Sequence, residues 1–266
     1  MGIKTPLTLK EAQKLFADFD LQRLIPTKDG VIDTTYIAIA AKKAYILKKY
    51  ERSIDAKIAF DTKLLQKLHH HKLNVPLLLA QNKGWYLYTK LSGSHPKQSE
   101  LQHIQLLARA VAHFHQCTQD IKRQKSFLQN YSLHTILNTI KTKHYSYYKK
   151  LSSLTRYKQE CDGFIHGDIF KDNTLFEKNS VGLFDFIDGG CGSFAFELGV
   201  IEISFNPNQK KSFTKMLLRT YNQTAPKKIT PQELALAVTN AAKLYALLRI
   251  SHHKSTKRAK ELLSLI

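Results

Sequence analysis

The sequence predicts an α+β fold in two lobes: a small N-terminal lobe with an antiparallel sheet, residues 1–89, and a larger, mainly helical C-terminal lobe, residues 90–266. Three observations predict it. Short apolar runs separated by turns crowd the first ninety residues. Helical spacing takes over from Leu101. The segment His166 to Asp188 interrupts the helical half with a loop and a hydrophobic hairpin of its own.

Composition sets the bounds. A chain of 266 residues can bury a substantial core, and 43% hydrophobic residues is ordinary for a globular protein. No apolar run approaches a membrane span, and Met1 to Pro6 lacks a signal-peptide core. Pro6 stands where a myristoylation motif needs Ser or Thr. Cys117, Cys161 and Cys191 are far apart, with no C-x-x-C, which argues against a disulfide framework and a zinc site and fits a reducing cytosol. The net charge is +20. The basic residues are scattered and accompany no nucleic-acid motif, so a solvated basic surface is favoured over nucleic-acid binding.

Thr8-Leu9-Lys10-Glu11 is a capping box, followed by Leu9, Ala12, Phe16 and Phe19 on one helix face. Val31 to Ala40 and Ala44 to Lys49 read as a hairpin. The next helix carries Ile54, Ile58, Leu65 and Leu68 as one apolar stripe, and Asp61 completes it. A carboxylate on that stripe either pairs with a lysine of the neighbouring strand or reaches water at the stripe's edge. His69-His70-His71 is a poor metal site, because adjacent helical residues do not share a face. Val75 to Ala80 and Trp85 to Tyr88 are two strands around Gln81-Asn82-Lys83-Gly84. Leu101 to Cys117 is a core helix, with His115 as a satisfied core histidine. Ser126 to Leu151, rich in Tyr, His and Lys, is either an insert over a pocket or an amphipathic surface helix. Gly189 to Gly192 reads as a flexible turn, and Phe194 to Phe205 as a helix. Thr230-Pro231-Gln232-Glu233 opens a helix through about Leu248, and a short basic helix closes the chain.

The segment with chemistry in it is His166-Gly167-Asp168-Ile169-Phe170-Lys171-Asp172-Asn173, then a hairpin, then Asp185-Phe186. Phosphoryl transfer to a hydroxyl needs a carboxylate to orient the hydroxyl and accept its proton, and oxygen ligands to hold Mg²⁺ against the nucleotide. Asp168 suits the first task; Asn173 and Asp185 suit the second. H-x-D-x-x-x-x-N alone arises by chance in about one chain in a hundred of this length. The acid after the hairpin sharpens it, since loop, hairpin and acid in that order form a kinase catalytic segment. The bland alternative is a surface hairpin whose acids cap turns.

These residues resemble the phosphotransferase family of aminoglycoside, choline and homoserine kinases, whose fold is similar to that of the protein kinases. Gly167, where protein kinases carry Arg, favours the small-molecule branch, and Phe164 to Phe186 looks closest to type II homoserine kinases. The resemblance implies a cytoplasmic enzyme with ATP and Mg²⁺ as cofactors, a nucleotide-binding lobe 1–89, a catalytic and acceptor-binding lobe 90–266, and an active site between them. Asp168 would be catalytic. His166 would hold the loop by hydrogen bonding, without moving a proton. Asn173 and Asp185 would be the metal ligands. Lys48 would meet the phosphates, with Lys49 as fallback, and Asp61 would hold Lys48 in place of the family's Glu. Gly30, the single glycine of Lys28 to Tyr36, would lie in the loop covering the nucleotide. Lys90, in the linker Thr89 to Gly93, would meet the adenine edge through its backbone. Glu197-Leu198 stands where the family has Asp-Leu bracing the loop. Asp188 is a spare acid or an acceptor contact. The expected acceptor is homoserine or a similar amino alcohol, because a strongly basic chain disfavours cationic acceptors. Choline, sugars, aminoglycosides and a catalytically weak binding protein remain as alternatives.

Overall fold

The computed structural model describes residues 3–27, 33–41, 43–122, 124–251 and 256–266. The chain forms two compact units, Met1–Ser92 and Gly93–Ile266.

In the first unit, α1 (Leu9–Leu15) starts at the Thr8 box: Thr8 Oγ1 accepts from Glu11 N at 3.3 Å, and Glu11 Oε2 accepts from Thr8 N at 2.8 Å. Five strands follow, β1 (Leu21–Pro26), β2 (Thr34–Ala40), β3 (Ala44–Lys49), β4 (Leu78–Asn82) and β5 (Trp85–Thr89). They form one antiparallel sheet in the order β1-β2-β3-β5-β4. The four-residue turn expected between β4 and β5 is tighter: Lys83 and Gly84 both have positive φ, +46° and +76°, the backbone that joins strands with two residues. One sheet face buries Tyr36, Ala38, Leu47, Trp85 and Leu87 against Ala12 and Phe16. Each large side chain so buried contributes about 1.5–3 kcal/mol. The helix α2 (Asp55–His70) buries Leu65 and Leu68, its N-cap Ile54 is buried too, and His69, His70 and the C-cap His71 are exposed. Gly30 and the rest of Lys28 to Ile32 lie outside the described residues.

The second unit contains α3 (Leu101–Thr118), α4 (Leu133–Lys143), α5 (Tyr145–Leu151), β6 (Gly163–Ile165), β7 (Thr174–Glu177), β8 (Ser180–Leu183), β9 (Gly190–Gly192), α6 (Phe194–Phe205), α7 (Lys211–Thr224), α8 (Pro231–Ser251) and α9 (Thr256–Leu263). All twelve residues of α6 are buried, which makes it the unit's central helix. At Gly199 it touches α8 so closely that a Cβ would lie 2.6 Å from the Ala237 carbonyl carbon. The long α8 starts at the second capping box, where Glu233 Oε2 accepts from Thr230 N at 2.7 Å.

Four expectations need correction or completion. Gly189 to Gly192 is no flexible turn: Gly190–Gly192 is β9, paired antiparallel with β6. A Cβ at Gly190 would lie 2.8 Å from the Lys125 carbonyl oxygen, so this strand is glycine-rich because other backbone presses on it. That pairing also brings together two cysteines 30 positions apart: Cys161 and Cys191 are joined by a disulfide, with Cα atoms 5.3 Å apart. Spacing along the chain cannot reveal a neighbour made by strand pairing. Ser126 to Leu151 is not one helix but a 3₁₀ turn, Phe127–Asn130, then α4 and α5, which bury Leu137, Ile140 and Leu151. Finally, α8 is long and apolar enough to cross a membrane by length and composition alone, although much of it is packed within this unit.

Candidate active site

The pairing of β6 with β9 sets Ile165 opposite Gly190. The loop leaving β6 therefore begins beside the segment that enters β9. That loop is His166 to Asn173; the segment opposite is Asp185 to Gly189. The expected hairpin lies between them, with Thr174 opposite Leu183 and Phe176 opposite Val181.

His166 ties the two together. It is buried, and its Nε2 lies 2.9 Å from the Phe184 carbonyl oxygen. A carbonyl only accepts, so Nε2 carries the proton. Nδ1 then accepts from the Asp168 backbone N–H at 3.2 Å. Both nitrogens are committed to backbone, and the ring holds Asp168 against the residue that precedes Asp185. Asn173 closes the loop: its Nδ2 donates to the Asp168 carbonyl at 2.8 Å and to the Asp168 Oδ2 at 3.0 Å. The Asn173 Oδ1 is the atom that suits a cation. Asp185 is exposed and left-handed, φ +71° and ψ +51°. A backbone of this kind costs about 1–3 kcal/mol and persists only where its surroundings impose it. Asn173 and Asp185 supply hard oxygen donors, and nucleotide phosphates would complete the shell of a Mg²⁺ ion. Among the described residues no group of three His, Cys, Asp or Glu side chains forms a metal cage by itself. A site completed by phosphates has the same composition.

Burial raises the Asp168 carboxyl from its usual range to about 7, and the charges of Asp172 and Asp185 push the same way. A carboxylate with that affinity for protons is matched to accepting one near neutral pH.

Sequence reasoning left Glu197 as a residue to test. Its buried carboxylate accepts from His166 N at 2.6 Å and from Gly167 N at 2.9 Å. The Glu-Leu pair was the signal, and the longer side chain still reaches. Behind it stands His115, fully buried, with Nε2 3.9 Å from Glu197 Oε2 and Nδ1 2.7 Å from the Tyr221 hydroxyl. Burial lowers the His115 pKa, so it stays neutral, as a core histidine does. Gly167 sits at φ +76°, and a Cβ there would overlap the Phe127 ring at 2.0 Å. That is the local reason for glycine at this position. On its other side the Gly167 carbonyl accepts from the Tyr245 hydroxyl, a residue that nothing in the sequence singled out. Asn130 donates to the Asp188 carbonyl at 2.8 Å, which ties down the far end of the segment.

In the first unit, Lys48 and Lys49 point to opposite faces of β3. Lys49 shares a face with Trp85, its Nζ 5.6 Å from that ring, on the side that packs against α1. Lys48 lies opposite Tyr86, with its Nζ 4.6 Å from the Tyr50 ring and 3.6 Å from Asp33 Oδ2. Asp61 is buried, 4% exposed. Burial raises the Tyr88 phenol; the Asp61 charge raises it further and the Lys48 charge lowers it. Tyr88 is thus a common neighbour of both. Lys48 forms an ion pair with Asp33, a partner the sequence did not suggest. Lys90 is exposed.

Known proteins resemble this chain in sequence and fold. A homoserine kinase of Polaromonas naphthalenivorans is 24% identical over 226 residues, spanning 75% of this chain and 72% of that protein. One from Janthinobacterium sp. is 21% identical over 226 residues, spanning 75% and 70%. Among solved structures, an amicoumacin kinase in complex with AMP-PNP and Ca²⁺ has a TM-score of 0.71 at 16% identity, covering 96% of this chain and 92% of that one. The macrolide 2'-phosphotransferase of Brachybacterium faecium has a TM-score of 0.68 at 16% identity, covering 98% of each chain. These likenesses establish a kinase-like α+β fold. The profile of the Phosphotransferase enzyme family matches residues 23–234, and the chain belongs to that family, as a small-molecule, kinase-like phosphotransferase acting on a hydroxyl acceptor.

Proposed function

We propose that this protein transfers the γ-phosphate of ATP to the hydroxyl of homoserine or a similar amino alcohol. The observation that carries the reading is the clustering of Asp168, Asn173 and the His166 link to the residue before Asp185. Asp168 orients the acceptor hydroxyl and takes its proton at or after the transition state. His166 keeps Asp168 in register and moves no proton. Asn173 and Asp185 hold Mg²⁺, which when bound neutralises charge on the phosphates. Lys48 holds the phosphates, Asp61 holds Lys48 in place of the family's Glu, and the Lys90 backbone meets the adenine edge. Glu197 braces the loop from behind. The division at residues 89 and 90 separates the nucleotide-binding part from the catalytic and acceptor-binding part. The cytosol, where ATP is available, is the proposed location.

Two supports favour homoserine. The curated relatives that span three-quarters of the chain are named homoserine kinases. The net charge of +20 also disfavours cationic acceptors. An ATP-consumption screen with Mg²⁺ tests both, across homoserine, choline, ethanolamine, sugars and aminoglycosides, with Asp168→Ala as control. Turnover of homoserine that vanishes in the variant is the expected result. Turnover of a cationic acceptor alone rejects the acceptor assignment and keeps the kinase. Nucleotide binding without any turnover supports a binding protein instead.

A further inference from the structure

Gly167 is a difficult residue to hold. It has no side chain, and its left-handed backbone gives it rotational freedom that other residues lack. Yet its peptides flank the carboxylate on which the chemistry turns. On the N–H side, Glu197 takes the Gly167 amide at 2.9 Å. On the C=O side the only side chain described as bonded to it is Tyr245, 78 positions further along the chain, in the middle of α8. The Tyr245 ring also meets the Phe170 ring edge-on at 4.6 Å. It therefore grips the loop on both sides of Asp168, at the residue before it and two residues after it. Burial holds the phenol well above its usual pKa, and the Asp168 charge adds to this, so the hydroxyl stays protonated and acts as a neutral donor.

We propose that Tyr245 is a positioning residue for phosphoryl transfer: its hydroxyl fixes the Gly167 peptide and its ring fixes Phe170, so that Asp168 is presented in one orientation. The proposal rests on the reading of Asp168 as the group that orients the acceptor hydroxyl. With Glu197 on the amide and Tyr245 on the carbonyl, neither peptide at Gly167 can turn without breaking a buried hydrogen bond. Released on one side, Asp168 samples orientations that do not meet the acceptor. The contacts of Tyr245 with Gly167 and Phe170 include none of the groups assigned to the nucleotide or the metal. Losing the hydroxyl therefore lowers turnover and spares nucleotide binding.

The sequence offers a clean probe. Gly167-Asp168 is the only Gly-Asp pair in the chain. Glycine labelled with ¹³C at the carbonyl and aspartate labelled with ¹⁵N give one carbonyl–amide signal, which belongs to the Gly167–Asp168 peptide. In Tyr245→Phe that carbonyl should move upfield, as a carbonyl that loses a donor does. With ATP, Mg²⁺ and the acceptor selected by the screen, kcat should fall about ten- to a hundredfold, the loss expected from misplacing a reacting group. KM for ATP should stay within about twofold of wild type. An unmoved carbonyl, an unchanged kcat, or a loss confined to KM for ATP overturns the proposal. Replacing Tyr245 by 3-fluorotyrosine keeps the hydroxyl and strengthens it as a donor. The carbonyl should then move the opposite way with kcat retained, which decides the matter if Tyr245→Phe does not fold. Asp168→Asn separates this proposal from its foundation. If that variant still transfers phosphate, the role given to Asp168 fails and the positioning role fails with it, while the carbonyl shift still reports whether Tyr245 makes the contact. If it is inactive and Tyr245→Phe is normal, only the positioning role fails.

Discussion

At Asp168 the needs of catalysis and of stability oppose each other. A carboxyl whose pKa is raised from 3.8 to about 7 binds its proton more tightly when folded than when unfolded. Between those values the folded state carries more protons, so stability falls as pH rises. The contribution is fully present below about pH 4, is lost as pH climbs through about 7, and amounts to a few kcal/mol at most. Asp168→Asn removes the titration. The variant without ligands should melt higher than wild type at pH 8, with the advantage disappearing near pH 4. Its phosphoryl transfer should fall by about 10²–10⁴, the range for losing a general base. A melting difference that does not depend on pH would show that Asp168 is not held in this desolvated state. Glu197 is the contrast: its two charge-assisted bonds to backbone amides stabilise the loop and touch no reacting atom. The sequence made Asp168, Asn173 and Asp185 legible as candidates, because residue type with spacing is what a sequence displays. It left Tyr245 silent because a tyrosine in an apolar helix looks like core, and only the fold brings it 78 positions back to Gly167.

Elements decide which of two equivalent residues can act. On β3 the alternation of side chains separates Lys48, beside Tyr50 and Asp33, from Lys49, over Trp85. Lys48→Ala should raise KM for ATP about ten- to a hundredfold, the worth of one charged hydrogen bond to phosphate. Lys49→Ala should change it little. If the two variants exchange these phenotypes, the phosphate ligand lies on the other face. Packing of α6 on α8 sets a second test. At Gly199 a Cβ would meet the Ala237 backbone at 2.6 Å, and backbone cannot step aside as a side chain does. Gly199→Ala should lower stability by about 1–3 kcal/mol in urea unfolding, the usual cost of overpacking. Since α8 carries Tyr245, activity should fall with it. The helices with strong apolar spacing or capping boxes, α1, α3 and α8, were legible within a few residues of their ends. The hairpin β7–β8 was legible because apolar runs flank a polar turn. β1 was not, since Gln22, Arg23 and Pro26 break its pattern and a register shift between Leu21 and Arg23 disrupts its pairing. β9 was not, because two glycines around one cysteine have no period to read.

For the molecule as a whole, charge is the property that reaches furthest. With 41 Lys and Arg against 21 Asp and Glu, the average field attracts anions and repels cations wherever a substrate approaches. Salt screens that field: the Debye length shrinks from about 10 Å at 0.1 M to about 3 Å at 1 M. Three substrates should therefore respond differently. For ATP, kcat/KM should fall as potassium chloride rises from about 0.05 to 0.5 M, with kcat nearly unchanged, because encounter weakens and chemistry does not. For homoserine, which carries one charge of each sign near neutral pH, kcat/KM should barely move. For choline, if it is turned over at all, kcat/KM should rise with salt as repulsion is screened. Flat salt profiles for all three would mean that the basic residues lie too far from the path of the substrates to steer them, and the charge argument for homoserine would fall while the assignment of Asp168 stood. The same titration guards against another use of the charge. A log–log slope of RNA binding against salt that corresponds to several released counterions would make the basic surface a nucleic-acid site. Loss of RNA binding at moderate salt, beside a falling kcat/KM for ATP, would assign the field to the nucleotide.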